Sequence, residues 1–216
     1  MNFSHIIWDW NGTLLDDLAA SIAAINHILV SRGLAPVTRE HYLAHFGFPV
    51  RDYYNLVGLP KDISPREWQD IAEKFHRHLL AEPSQLFPDV RATLEHCARA
   101  DIPQSVLSAL HQPLLDKLFR QHNIANFFQH IRGVDDLHGS SKLKAGRALL
   151  QQIALPPEKI LLVGDTLHDA EVARELGVRC VLVTRGHQHP SRLATAGVPL
   201  FPNLQFIPIY FSQAMG

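Results

Sequence analysis

Only two cysteines and two methionines occur in the 216 residues of the chain. Cys97 and Cys180 lie far apart and in no metal-binding or redox spacing, which excludes a disulfide framework and a cysteine-based metal site. Cys97 falls among helical apolar residues and Cys180 in a strand-like run, so both are expected to be reduced core residues of a cytoplasmic protein. No apolar run approaches a membrane span, and the first residues lack the charged-then-apolar pattern of a secretion signal. Neither sign of charge dominates: 20 Lys and Arg against 21 Asp and Glu leave a formal net charge of -1. Without a basic run there is no electrostatic footprint for nucleic acid. Internal repeats and low-complexity segments are absent too. Apolar material is plentiful, at 46% of residues against 19% charged, enough for one large core or a core with a modest insertion.

Short β-like runs fall at 5–10, 105–109, 159–165 and 179–184, with a weaker one at 128–132. Helical patterns at 90–100, 113–123, 144–153 and 168–176 separate them. Strands alternating with amphipathic helices predict an α/β fold with a doubly wound, Rossmann-like parallel sheet. Functional groups in such sheets gather at the carboxyl ends of strands, where Asp9, Ser108 and Asp165 fall. The segment 16–86 breaks the alternation. Helical patterns at 17–32, 38–45, 51–56 and 65–80 fill it, too much helix for a simple crossover. It reads as a helical cap inserted into a core formed by 1–15 and 87–216. Its edges would be 14–16 and 83–89, and loop-borne edges suit a hinge. The alternative is a helical layer packed permanently on the core.

Four stretches carry chemistry. Asp9-Trp10-Asn11-Gly12-Thr13-Leu14 follows the first apolar run and presents a strand-end carboxylate, a nucleophile able to attack phosphorus. Gly12 permits the tight turn that keeps the backbone close to a bound group. Leu161-Leu162-Val163-Gly164-Asp165-Thr166-Leu167-His168-Asp169 sets two acids four apart at a strand-to-helix turn, a donor set suited to Mg²⁺. Capping of the following helix accounts for one of these acids but not both. Ser108 offers a strand-end hydroxyl to a phosphoryl oxygen. Lys142, with Lys144 beside it after the Gly139-Ser140-Ser141 turn, offers a cation that would neutralise phosphoryl charge.

In this order the stretches resemble the haloacid dehalogenase-like hydrolases, in the phosphoglycolate phosphatase-like branch whose cap lies between the first and second motifs. The resemblance runs from Ile6 to about Val198, and Phe87-Pro88-Asp89-Val90 looks like the family's return from cap to core. It implies that Asp9 is the nucleophile of a Mg²⁺-dependent phosphatase acting on a small phosphorylated metabolite. Mg²⁺ would be bound by Asp9, the Asn11 carbonyl, Asp165 and Asp169. Thr13 and Ser108 would hold phosphoryl oxygens, and Lys142, preferred to Lys144 because it lies closer to the turn, would screen charge. A monomer is expected; no membrane or nucleic acid is. The acidic pair argues against a carbon–halogen hydrolase. Lys61 and Lys74, the cap's lysines, sit in no context that suggests a Schiff-base phosphonate hydrolase.

The departure is Asn11, where the family usually has a second aspartate acting as general acid and base. An amide cannot move a proton in that role, and loss of such help typically removes ~10²–10⁴ in rate. Three outcomes follow. The substrate has a good leaving group; or Asp16, Asp17 or His168 moves the proton; or the chain binds a phosphorylated ligand with little turnover. Asn11 also argues against a sugar-phosphate mutase. Gly47-Phe48-Pro49-Val50-Arg51 resembles the cap loop that faces the core site, and Arg51 offers a bidentate clamp for a carboxylate or second phosphate. A surface arginine opening a helix is the alternative. His76, His78, His187 and His189 are expected to be surface or loop residues, with His187 nearest the site edge.

Overall fold

The computed structural model describes residues 3–81, 84–137 and 141–213; Pro83 at the expected cap edge and the Gly139-Ser140 turn lie outside them. Its frame is a parallel sheet of six strands. In chain order the core strands are β1 (His5–Trp8), β4 (Gln104–His111), β5 (His130–Val134), β6 (Ile160–Gly164), β7 (Arg179–Val183) and β8 (Leu200–Phe201). A second, two-stranded sheet is formed by β2 (Leu15–Asp16) and β3 (Gln85–Leu86). The spatial order β5-β4-β1-β6-β7-β8 makes the sheet doubly wound, as expected. Strand order reverses between β1 and β6, which opens a crevice at their carboxyl ends.

Buried on both faces, these strands are nearly all apolar. Side chains alternate across the sheet, so Ile6, Trp8, Leu161, Val163, Val181 and Val183 pack on one face. Ile7, Leu107, Ile160, Leu162, Cys180 and Leu182 pack on the other. Both cysteines are free and buried. Helices α5 (Val90–Arg99), α6 (Gln112–His122), α7 (Leu143–Ile153) and α8 (Leu167–Leu176) connect the strands close to the expected positions.

Segment 16–86 holds α1 (Leu18–Ser31), α2 (Arg39–His45), α3 (Val50–Leu56) and α4 (Pro65–Ala81). They enclose an apolar cluster of their own, built on Ile25, Ile28, Leu29, Tyr42, Trp68 and Ile71. Where the chain leaves and re-enters the sheet region, β2 and β3 pair antiparallel, with Leu15 opposite Leu86 and Asp16 opposite Gln85. Just beyond this ribbon Asp89 accepts from Arg185 at 2.6 Å and from the Leu204 N–H at 2.7 Å. The sequence reading missed the ribbon, β8 and the terminal helices α9 (Pro190–Leu193) and α10 (Ile207–Gln213), all too short for periodicity to register.

Candidate active site

Asp9 and Asp165 leave adjacent strands at the crevice. The Asp9 N–H still donates to the Val163 carbonyl at 2.8 Å, so the β1–β6 ladder holds the nucleophile candidate's backbone. Asp9, Asp165 and Asp169, all buried, each bring one carboxylate oxygen within 4.8 Å of the others. Lys142, which immediately precedes α7, is 2% exposed and reaches in from the other side. Its Nζ donates to Asp9 Oδ1, to Asp169 Oδ1 at 2.6 Å and to the Leu107 carbonyl at 3.1 Å. Lys144 is 91% exposed and pairs with Asp135 at the surface.

One lysine faces three buried acids. Burial raises Asp9 to about 6 against the lowering pull of Lys142. Burial also pushes Asp165 well up, although His187 opposes it. Asp169 stays below the usual carboxylate range because Lys142 and hydrogen bonds outweigh burial. A pocket with surplus carboxylate charge and hard oxygen donors fits a divalent cation.

Asp169 carries two duties. Its Oδ2 accepts from the Thr166 N–H at 2.9 Å, while Thr166 Oγ1 accepts from the Asp169 N–H at 3.4 Å, closing a capping box on α8. Capping therefore employs Thr166 and Asp169, and Asp165 is left to the crevice.

Ser108 sits where β4 loses register with β5: five residues, Leu107 to His111, pass against three, Arg132 to Val134. The irregularity turns Ser108 into the cleft, where its Oγ accepts from the Leu110 N–H at 3.0 Å. Thr13 is fully buried and absent from the described lining; its hydroxyl lies 3.3 Å from Asp9 Oδ2 and 3.2 Å from Asp165 Oδ1. Arg51 is not brought to the site. One residue along α3 from the cleft-lining Val50, it points away and donates to the Ile63 carbonyl at 2.8 Å beside Trp68. Asp16 is exposed on the ribbon, remote from the role considered for it.

A second buried group surrounds Asn11. Its amide donates to Asp17 Oδ2 at 2.7 Å, and Ser21 Oγ donates to the same oxygen at 3.0 Å. Asp17 Oδ1 accepts from the Gly12 N–H at 2.9 Å and from His187 Nε2 at 3.0 Å. His187, expected at the site edge among surface residues, is buried at its centre. Burial alone would lower the imidazole, but Asp17, Asp165 and Asp9 lift it to about 9. The charged ring donates through Nδ1 to Tyr42 Oη at 2.9 Å, and the His187 N–H donates to Asp165 at 2.6 Å. Gly12, at φ 73°, lets this packing exist: a Cβ there would strike both the Asp165 carboxylate and the His187 ring. His168 also lines the cleft and stacks on Phe48 at 4.4 Å.

Acids at the two strand ends flanking a topological reversal, a lysine between them and a helical layer above define an α/β hydrolase site. The haloacid dehalogenase-like hydrolase family model matches residues 6–183, and the chain belongs to that family. It is 25% identical over 195 residues to a phosphoglycolate phosphatase of Photorhabdus laumondii, covering 88% of this chain and 83% of that one. A phosphoglycolate phosphatase of Pseudomonas putida is 28% identical, covering 85% and 70%. In fold it resembles a predicted phosphoglycolate phosphatase from Haemophilus somnus, with a TM-score of 0.79 at 20% identity over 97% and 98% of the two chains.

Proposed function

We propose that this chain is a Mg²⁺-dependent phosphatase of small phosphate monoesters working through an aspartyl-phosphate on Asp9. The observation that carries the reading is the meeting of Asp9, Asp165, Asp169 and Lys142 at one crevice. An Asp9 carboxylate oxygen forms a bond to phosphorus as the ester P–O bond breaks, and water then hydrolyses the acyl phosphate, returning the carboxylate and inorganic phosphate. Lys142 holds Asp9 oriented and offsets charge as the phosphoryl group transfers. Thr13 keeps the Asp9 carboxylate in place, and Ser108 presents its hydroxyl to a phosphoryl oxygen. Asp9, Asp165, Asp169 and the Asn11 carbonyl would hold Mg²⁺, whose charge draws off electron density from the phosphoryl oxygens.

Residues 1–15 and 87–216 act as the catalytic core and 16–86 as its cap, in a cytoplasmic monomer. The apolar cluster of the cap, separate from the two on the faces of the sheet, supports this division. A panel of phosphate monoesters assayed with and without Mg²⁺ tests the reading; metal-independent or absent turnover rejects it. A second reading rests on Asn11, whose amide is held by Asp17 and moves no proton. Under it the site retains a phosphorylated ligand with little turnover, and p-nitrophenyl phosphate would bind without release of nitrophenol.

A further inference from the structure

The crevice is a cavity of about 120 Å³, floored by the acids and roofed by α1, α3 and α4. Its far wall is Ile25, Tyr54, Trp68, Ile71, Phe75 and Leu79. The four from α4 recur three or four residues apart and form one apolar stripe along the helix, turned to the site.

The wall offers no counter-charge. Among the described lining residues there is no arginine, and Lys142 is the one lysine, already engaged by Asp9 and Asp169. His187 is paired with Asp17, and His168, stacked on Phe48, has Glu171 3.7 Å from its Nδ1. His76 is bonded to the Ala72 carbonyl at 2.7 Å, and burial lowers it to about 4, so it is neutral at pH 7. Arg51, the cap cation nearest in sequence to the cleft loop, faces the Ile63 carbonyl instead. A second anionic group on the substrate would be desolvated there without a partner, which is strongly unfavourable. An uncharged ring suits this wall, whose apolar and aromatic side chains meet it without desolvating a charge. The buried Tyr54 hydroxyl has no hydrogen-bond partner among the described residues, so one neutral polar substituent on the ring would find a mate.

Asn11 points to the same class by separate chemistry. A phenol, with a pKa near that of tyrosine, about 10, leaves as its anion far more readily than an alkyl alcohol and needs little acid assistance. We propose that the cleft selects phosphate monoesters of neutral, aromatic alcohols and rejects esters carrying a second anionic group such as phosphoglycolate. This rests on the phosphatase reading for turnover, but not for binding.

The full chain with Mg²⁺ is assayed on phenyl phosphate, 1-naphthyl phosphate and phosphoglycolate. In parallel, calorimetry measures binding of benzylphosphonate and 3-phosphonopropionate, which cannot be hydrolysed. The expected result is kcat/KM at least ~10²-fold higher for the aryl esters, given the cost of an unpaired buried anion, and tighter binding of benzylphosphonate. Phe75→Arg, at a half-buried wall position, should shift selectivity toward phosphoglycolate by ~10-fold through a new ion pair. If that variant does not fold, as judged by thermal unfolding, the two phosphonates on the native chain decide. Phosphoglycolate hydrolysed as well as the aryl esters, or 3-phosphonopropionate bound as tightly as benzylphosphonate, overturns the inference. Benzylphosphonate bound selectively with no ester hydrolysed sinks the phosphatase reading and keeps the cleft's preference. Binding of neither phosphonate overturns the inference, and the phosphatase reading then stands or falls on turnover of the esters.

Discussion

His187 in the loop after β7 and Asp17 at the start of the first cap helix form a buried pair 3.0 Å apart. The pair joins the core to the helical layer directly above Gly12, and it carries Asn11 and Tyr42 on its flanks. The charge on His187 is therefore part of what seats the cap over the acids.

Stability should depend on pH through this pair. His187 is raised from 6.5 to about 9 in the folded chain, so its contribution is complete below pH 6.5 and disappears as pH rises through about 9. The amount lost is on the order of 3 kcal/mol by linkage. Denaturant unfolding in EDTA, with His187→Gln as reference, should show the difference between the two proteins shrinking across that window. A difference constant from pH 6 to 10 contradicts the assignment.

Asp165→Ala should abolish the Mg²⁺-induced rise in melting temperature along with phosphatase activity. The fold should survive in EDTA at a stability lower by about 1–3 kcal/mol, because the buried His187 N–H loses its acceptor. Isothermal titration with Mg²⁺ checks it, and unchanged affinity would mean that the acids do not hold metal together.

At position 11 a carboxylate would face Asp17, which now accepts from the Asn11 amide at 2.7 Å. Asn11→Asp should thus cost about 1–3 kcal/mol of stability, because the new carboxyl must take up a proton to keep a donor facing Asp17. Its new carboxyl, kept protonated by Asp17, should speed alkyl phosphate hydrolysis by ~10²-fold while helping p-nitrophenyl phosphate much less. Equal rates for both proteins on both substrates would show that another group moves the proton.

Gly12→Ala combines a disfavoured φ of 73° with a collision against Asp165 and His187. The expected result is activity below a tenth of native, since displacing a reacting group by about 1 Å costs ~10²-fold. The secondary structure should survive, as followed by circular dichroism. Native activity in this variant would refute the close packing at the turn.

Much of this molecule is legible in local pattern. The strand runs and their intervening helices follow from apolar periodicity, and Asp9 and Asp165 are marked by standing where such runs stop. The capping box at Thr166 and Asp169 is also readable, since it spans three residues. Sequence by itself thus determined the α/β frame and which acids stand at its rim. Tertiary structure alone decided what those acids meet. Lys142 and Lys144 differ by two places on the chain, yet one is buried between carboxylates and the other is in solvent, because helical geometry sends them in different directions. Arg51 beside Val50 diverges from the cleft for the same reason. His187 lies 170 residues from Asp17, and no spacing rule links them; only the return of β7 beside β6 sets the imidazole over Gly12, where Asp17, Asp165 and Asp9 outweigh burial and give it a charge that no short peptide would hold.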